Sequence, residues 1–141
     1  LQSILDQMDF VRQNDSIVMT LDSLDFARII GRISALKAAI ASLLSVKPIV
    51  VLKDGLLGMA ETVRPRSQSL DRVLEIARQC AANRDVNVAV VHCQDPEAGK
   101  SLLEQVKSVL RCRDLVMTEL SISVAANLGP GTVGIVVYPS R

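Results

Sequence analysis

"VNVAVVHCQDPEAGKSLLEQVKSVL" (Val86–Leu110) holds a strand, a loop and a helix start in one stretch. VNVAVVH is a short, β-branched apolar run and reads as a buried strand. Asp95-Pro96-Glu97 is a well-formed helix start, with an acid at the N-cap and proline at the first helical position. Ala98, Leu102, Leu103, Val106, Val109 and Leu110 then make an inward face. Outward from this stretch, "DLVMTEL" (Asp114–Leu120) reads as a strand. "SISVAAN" (Ser121–Asn127) reads as a short turn-helix, and "TVGIVVY" (Thr132–Tyr138) as the final strand.

Toward the N-terminus, a stripe of Leu70, Val73, Leu74, Ala77 and Ala81 predicts a helix capped by Ser67 or Ser69. Before it, "PIVVLKDGLLGMAETVR" (Pro48–Arg64) reads as a hairpin, turning at Asp54-Gly55 and stopped by Pro65. "RISALKAAIASLLSV" (Arg32–Val46) is an almost uncharged helix with Ile33, Leu36, Ile40 and Leu43/Leu44 on one side. Gly31 separates it from a helix over 23–30 capped by Thr20 or Asp22. "SIVMT" (Ser16–Thr20) is a strand. Ile4, Leu5, Met8 and Val11 predict an amphipathic helix ending at Asn14-Asp15. The fold class is α+β: a two-layer sandwich in which helices pack mainly on one face of a mixed sheet.

The 141 residues suit one domain. Apolar residues make up 49% and charged residues 22%, as in globular proteins. Aromatics make up only 2%, so the core is aliphatic and the composition argues against base-stacking nucleic-acid recognition. Net charge is +1, which gives no general attraction to nucleic acid or anionic lipid. No apolar run reaches the ~18 residues of a membrane span. Cys80, Cys93 and Cys112 form no CxxC pair and, with one histidine, no zinc set. They read as reduced thiols, with a cytoplasmic location and no metal or cofactor as the expectation.

Four places carry polar chemistry. His92 ends a strand, where ligands gather in α/β proteins, but no triad or metal set forms around it, so it reads as structural. Arg32 follows Gly31 at a helix start, where it is either an anion-binding arginine or a surface one. Arg64-Pro65-Arg66 is a solvated loop or a docking patch for an acidic partner. Asn127 precedes Gly129-Pro130-Gly131, a turn with free φ at both glycines and fixed φ between them. Asn127 either caps this turn or bonds a ligand beside exposed backbone N–H groups. No GxGxxG or P-loop pattern is present.

"SIVMTLDSLDFARIIGRIS", "SVKPIVVLKDGLLGMAETVRPR", "VAVVHCQDPEAGKSLLEQV" and "NLGPGTVGIVVY" together resemble, in order and spacing, the C-terminal half of DegV family proteins. The resemblance implies a bacterial protein that holds one long-chain fatty acid in a two-lobed shell. Residues 15–141 are then the C-terminal lobe, and residues 1–14 a helical lead-in from an N-terminal lobe that this chain lacks. The acyl chain runs into this lobe, lined by Ile33, Leu36, Ile40 and Leu43. The carboxylate lies at the cleft, near Arg32, Asn127, Gly129 and Gly131. Asn127 stands where many members carry histidine, and it cannot take up charge. Ile30-Gly31-Arg32 stands for the usual Gly-Gly-Arg. Arg64 matches an arginine that docks a fatty acid kinase subunit, to which some members present their ligand for phosphorylation. The expected role is non-catalytic. Two rivals remain: a domain of an enzyme whose catalytic residues lie in the missing half, and a ligand-free dimerisation or regulatory module.

Overall fold

The structure, a computed structural model, describes residues 1–26, 45–53 and 56–141. Chain order among them is α1 (Gln2–Asn14), β1 (Ser16–Thr20), β2 (Lys47–Lys53), β3 (Leu56–Val63), α2 (Arg66–Ala81), β4 (Val86–His92), α3 (Pro96–Val109), β5 (Cys112–Glu119), α4 (Ile122–Leu128) and β6 (Val133–Pro139). The strands form one six-stranded sheet in the order β3-β2-β1-β6-β4-β5. Only β4 and β5 run parallel, joined by α3; every other pairing is antiparallel. The mixed sheet and the α+β class are as the sequence predicts.

The strands put apolar side chains on both faces, because successive residues point to opposite sides. Val18, Ile49, Val86, Val88, Val90, Val133, Ile135 and Val137 point to one face. There α2 contributes Leu70, Val73, Leu74, Ala77 and Ala81, and α3 contributes Leu102 and Val106. This is the main core. Met19, Leu21, Val50, Val91 and Leu128 gather on the opposite face, with Ile17, Ala89 and Val136 against them.

The helix ends follow their local chemistry. Asp95 caps α3 by accepting a hydrogen bond from Ala98 N at 3.1 Å, and Pro96 sits in the first turn. The helix α2 departs from the reading above: Pro65 is its N-cap, with no side-chain cap. Ser67 is exposed, and the Ser69 hydroxyl donates back to Arg66 O at 2.7 Å. Proline's fixed φ favours this extended-to-helix junction without a capping oxygen. Thr20 closes β1 and Asp22 accepts from Lys47, so neither caps the next helix; Ser23 Oγ accepts from Asp25 N instead. Helical backbone begins at Asp25 and Phe26, and the rest of the helix expected over 23–30 lies outside the described residues. The same holds for Gly31, for nearly all of the helix expected over 32–46, and for the Asp54-Gly55 turn. Val109 is 42% exposed, so the inward face of α3 ends at Val106, with Leu110 buried just beyond. The strand β5 starts at Cys112, two residues earlier than expected, and leaves Leu120 outside.

Candidate functional site

Two rows of side chains cross the sheet on the face away from α2 and α3. Strand register sets Val50, Met19, Gly134 and Val91 side by side. Two residues further along, it sets Leu57, Leu52, Ile17, Val136 and Ala89 side by side. All of these residues except Gly134 and Ala89 floor a cavity of 380 Å³. One wall is α4 with Ser123, Val124, Asn127 and Leu128; Leu21 and Leu120 complete the lining. Ser123 and Asn127 are its only side-chain hydrogen-bonding groups among the described residues, and both stand on the α4 wall. The rest of the described lining is apolar, with no charge and no ring.

Such a space rejects ions and strongly polar ligands, since a buried polar group without a partner is costly. It favours a hydrocarbon chain, where each buried methylene contributes ~0.8 kcal/mol. Asn127 Nδ2 donates to Ser123 O at 2.5 Å. An amide nitrogen carries two hydrogens, so one donor remains for a ligand oxygen. A second cavity, of 460 Å³, lies along α4 between Cys93, Glu119, Ala125 and Phe26. The Glu119 carboxylate makes it a poor hydrocarbon site. Burial pushes the Cys93 thiol up, and the Glu119 charge pushes it further, so this thiol stays protonated and unreactive near neutral pH.

The Gly129-Pro130-Gly131 turn follows α4. Both glycines have positive φ, 86° and 80°. A Cβ on Gly129 would overlap the Phe26 ring, and one on Gly131 would lie 2.8 Å from Asp22 Cβ. The bare faces of both glycines thus accommodate neighbouring side chains of this chain, and neither glycine lines the 380 Å³ cavity. Arg66 Nη2 donates to Gly131 O at 2.5 Å and to Asp95 Oδ2 at 3.0 Å, tying the turn to the start of α3.

Among the described residues, Asn127 is therefore the one expected head-group residue that stands in the cavity wall. Arg32, and the expected acyl-lining residues Ile33, Leu36, Ile40 and Leu43, lie outside the described residues. Arg64 is exposed between β3 and α2. His92 is 5% exposed and lies against α3, where a Cβ on Gly99 would approach its ring to 3.1 Å. It faces the helix layer, away from the cavity, in keeping with a structural role. The sheet floor of Ile17, Met19, Val50, Leu52 and Val136 was not singled out from the sequence. Its signal was present: SIVM, IVVL and VGIVV are apolar at consecutive positions, which places apolar groups on both faces of the sheet.

The described residues contain no helix long and apolar enough to cross a membrane, and no metal-binding cluster. The chain is 36% identical over 118 residues to a DegV domain-containing protein of Streptomyces coelicolor, covering 83% of this chain and 42% of that protein. It is 30% identical over 129 residues to one of Clostridium acetobutylicum, covering 90% and 46%. It thus spans about half the length of the curated relatives it matches. Among solved structures, it matches a fatty-acid-binding DegV family protein of Thermus thermophilus with a TM-score of 0.88 and 26% identity, over 99% of this chain and 51% of that one. A stearic-acid-binding protein of Eubacterium ventriosum matches with a TM-score of 0.81 and 26% identity, over 99% and 49%. The family model for DegV proteins, described as uncharacterised, matches residues 1–140, and the chain belongs to the DegV family.

Proposed function

We propose that this chain is a fatty-acid-binding lobe with no chemistry of its own. The observation that carries this reading is the 380 Å³ aliphatic cavity whose only side-chain hydrogen-bonding groups among the described residues, Ser123 and Asn127, stand together on one wall. A long-chain fatty acid has the matching chemistry: a hydrocarbon for the floor and one polar end. The fatty acids named for the Thermus and Eubacterium proteins support the same ligand class. In this reading the acyl chain lies over β2, β1 and β6. The carboxylate points toward the Asn127 side, at the cleft with a second lobe, where Arg32 supplies its positive charge. Arg64, exposed beside Pro65, is the docking point for a fatty acid kinase subunit in the cytoplasm.

Lipid mass spectrometry of the purified intact protein tests the ligand. A copurifying long-chain fatty acid is the expected result; protein free of lipid that also fails to take up added fatty acid would overturn it. Arg64→Ala tests the partner separately. It should leave lipid binding unchanged and lower kinase-dependent acyl-phosphate formation; unchanged formation removes the docking role.

A further inference from the structure

The α4 wall cannot hold its own place. It has seven residues, no side-chain cap at Ser121, and only Leu128 buried. A helix this short is marginal in water by itself, so its position comes from whatever holds its ends. Before its first turn, Leu120 N donates to His92 O at 2.8 Å. Its C-terminal end is held more firmly. The fully buried Thr132 hydroxyl donates to Gly129 O at 2.8 Å and lies 3.2 Å from Leu128 O. Gly131 N donates to Cys93 O, and Cys93 N to Thr132 O, each at 2.8 Å.

Arg66 closes this anchor from the helix layer. It is the first residue of α2, and its Nη2 donates both to Gly131 O and to Asp95 Oδ2. The Asp95 carboxylate is itself fixed, because its other oxygen accepts from Ala98 N and caps α3. The guanidinium is therefore held at the starts of both long helices, and it ties the turn after α4 to them. The Arg66 and Asp95 side chains are only 27% and 31% exposed, so water screens this pair less than an ion pair on the open surface. Charge-assisted bonds of this kind are stronger than neutral ones. Arg66 does not line the 380 Å³ cavity.

We propose that Arg66 is a positioning residue for the fatty-acid site: its clamp on Gly131 holds the α4 wall, and with it Asn127, over the sheet floor. This rests on the fatty-acid reading above and adds to it a residue that acts through Asn127 from outside the cavity. Arg66→Ala removes the clamp. Arg66→Lys keeps a charged donor on a shorter stem and restores part of it.

Two measurements on the delipidated intact protein test this. The first is amide hydrogen exchange without ligand. Arg66→Ala should speed exchange of the Ala125 and Gly129 amides, which close hydrogen bonds of α4, about tenfold, and leave those of Leu102 and Val106 in α3 within about twofold. The second is titration with stearic acid in a cycle of Arg66→Ala and Asn127→Ala. Arg66→Ala alone should weaken binding about tenfold, the scale of one charge-assisted bond, with Arg66→Lys in between. In protein that already carries Asn127→Ala, the same change should cost less than about threefold, because coupled residues are not additive. A general loss of stability gives equal losses in both backgrounds. Unchanged exchange in α4, equal acceleration in α3 and α4, or additive losses in protein whose wild type binds stearic acid overturns the role of Arg66 alone. Wild-type protein that takes up no stearic acid overturns the fatty-acid reading itself, and this inference with it.

Discussion

The two faces of the sheet are built from the same strands and the same residue types, yet one is closed and the other hollow. On the α2/α3 face, Val73, Ala77, Leu102 and Val106 are fully buried against Val86, Val90, Val133 and Ile135. On the opposite face, Met19, Val50 and Val91 are also nearly inaccessible, but they border a 380 Å³ space. Apolar composition alone does not separate a core from a ligand site. The difference is what stands opposite. Two long amphipathic helices fill the first face, whereas only the seven-residue α4 walls the second among the described residues.

Breaking the closed face should have the largest effect. Leu102 is fully buried between α3 and the sheet. Leu102→Ala should lower unfolding free energy by about 2–5 kcal/mol, as removal of buried methylenes leaves a cavity. Chemical denaturation checks this, and a loss below ~1 kcal/mol would mean that the face is less tightly packed than the contacts indicate.

A charge on the hollow face sharpens the contrast. Val136 lines the cavity and is only partly buried. Val136→Asp should lower fatty-acid affinity at least tenfold, since a carboxylate beside an acyl chain finds no cation among the described lining residues. Its effect on unfolding should be smaller than that of Leu102→Ala. A variant that unfolds more readily than Leu102→Ala while binding lipid normally would reverse the assignment of the two faces.

The smallest expected effect concerns pH. Burial raises the pKa of the Cys93 and Cys112 thiols, so the folded state holds their protons more tightly than the unfolded state. That contribution to stability is fully present below the unfolded thiol pKa of about 8.5, and it is lost as pH rises toward the folded values. Cys93→Ala should therefore flatten the decline in melting temperature on the alkaline side. An unchanged alkaline slope would show that Cys93 is solvated in solution.

Legibility in the sequence also divided along the two faces. The closed face is readable because helices advertise their buried side by periodicity: Leu70, Val73, Leu74, Ala77 and Ala81 form one stripe, and all are buried. The Asp95-Pro96 start of α3 was equally plain, because its capping chemistry is local. The hollow face was not readable as a site. Its floor draws one or two residues from each of five strands, and strand register brings them together across the whole chain. Asn127 was identified from the turn beside it, while Ser123, one helical turn away, gave no signal in the bare sequence. The Gly129-Pro130-Gly131 turn signals freedom of φ in the sequence, and both glycine φ values are positive. Its bare faces meet Phe26 and Asp22, a packing role that the motif cannot reveal on its own.

The claim that the hollow face holds the acyl chain is tested most directly by isotope-filtered NMR on the intact protein loaded with a ¹³C-labelled long-chain fatty acid. Chain protons should show intermolecular contacts to the methyl groups of Ile17, Leu52, Val50 and Val136, and none to those of Ile49, Val88, Ile135 and Val106. Contacts confined to the second set, or absent from both in protein that binds the lipid, would contradict the account.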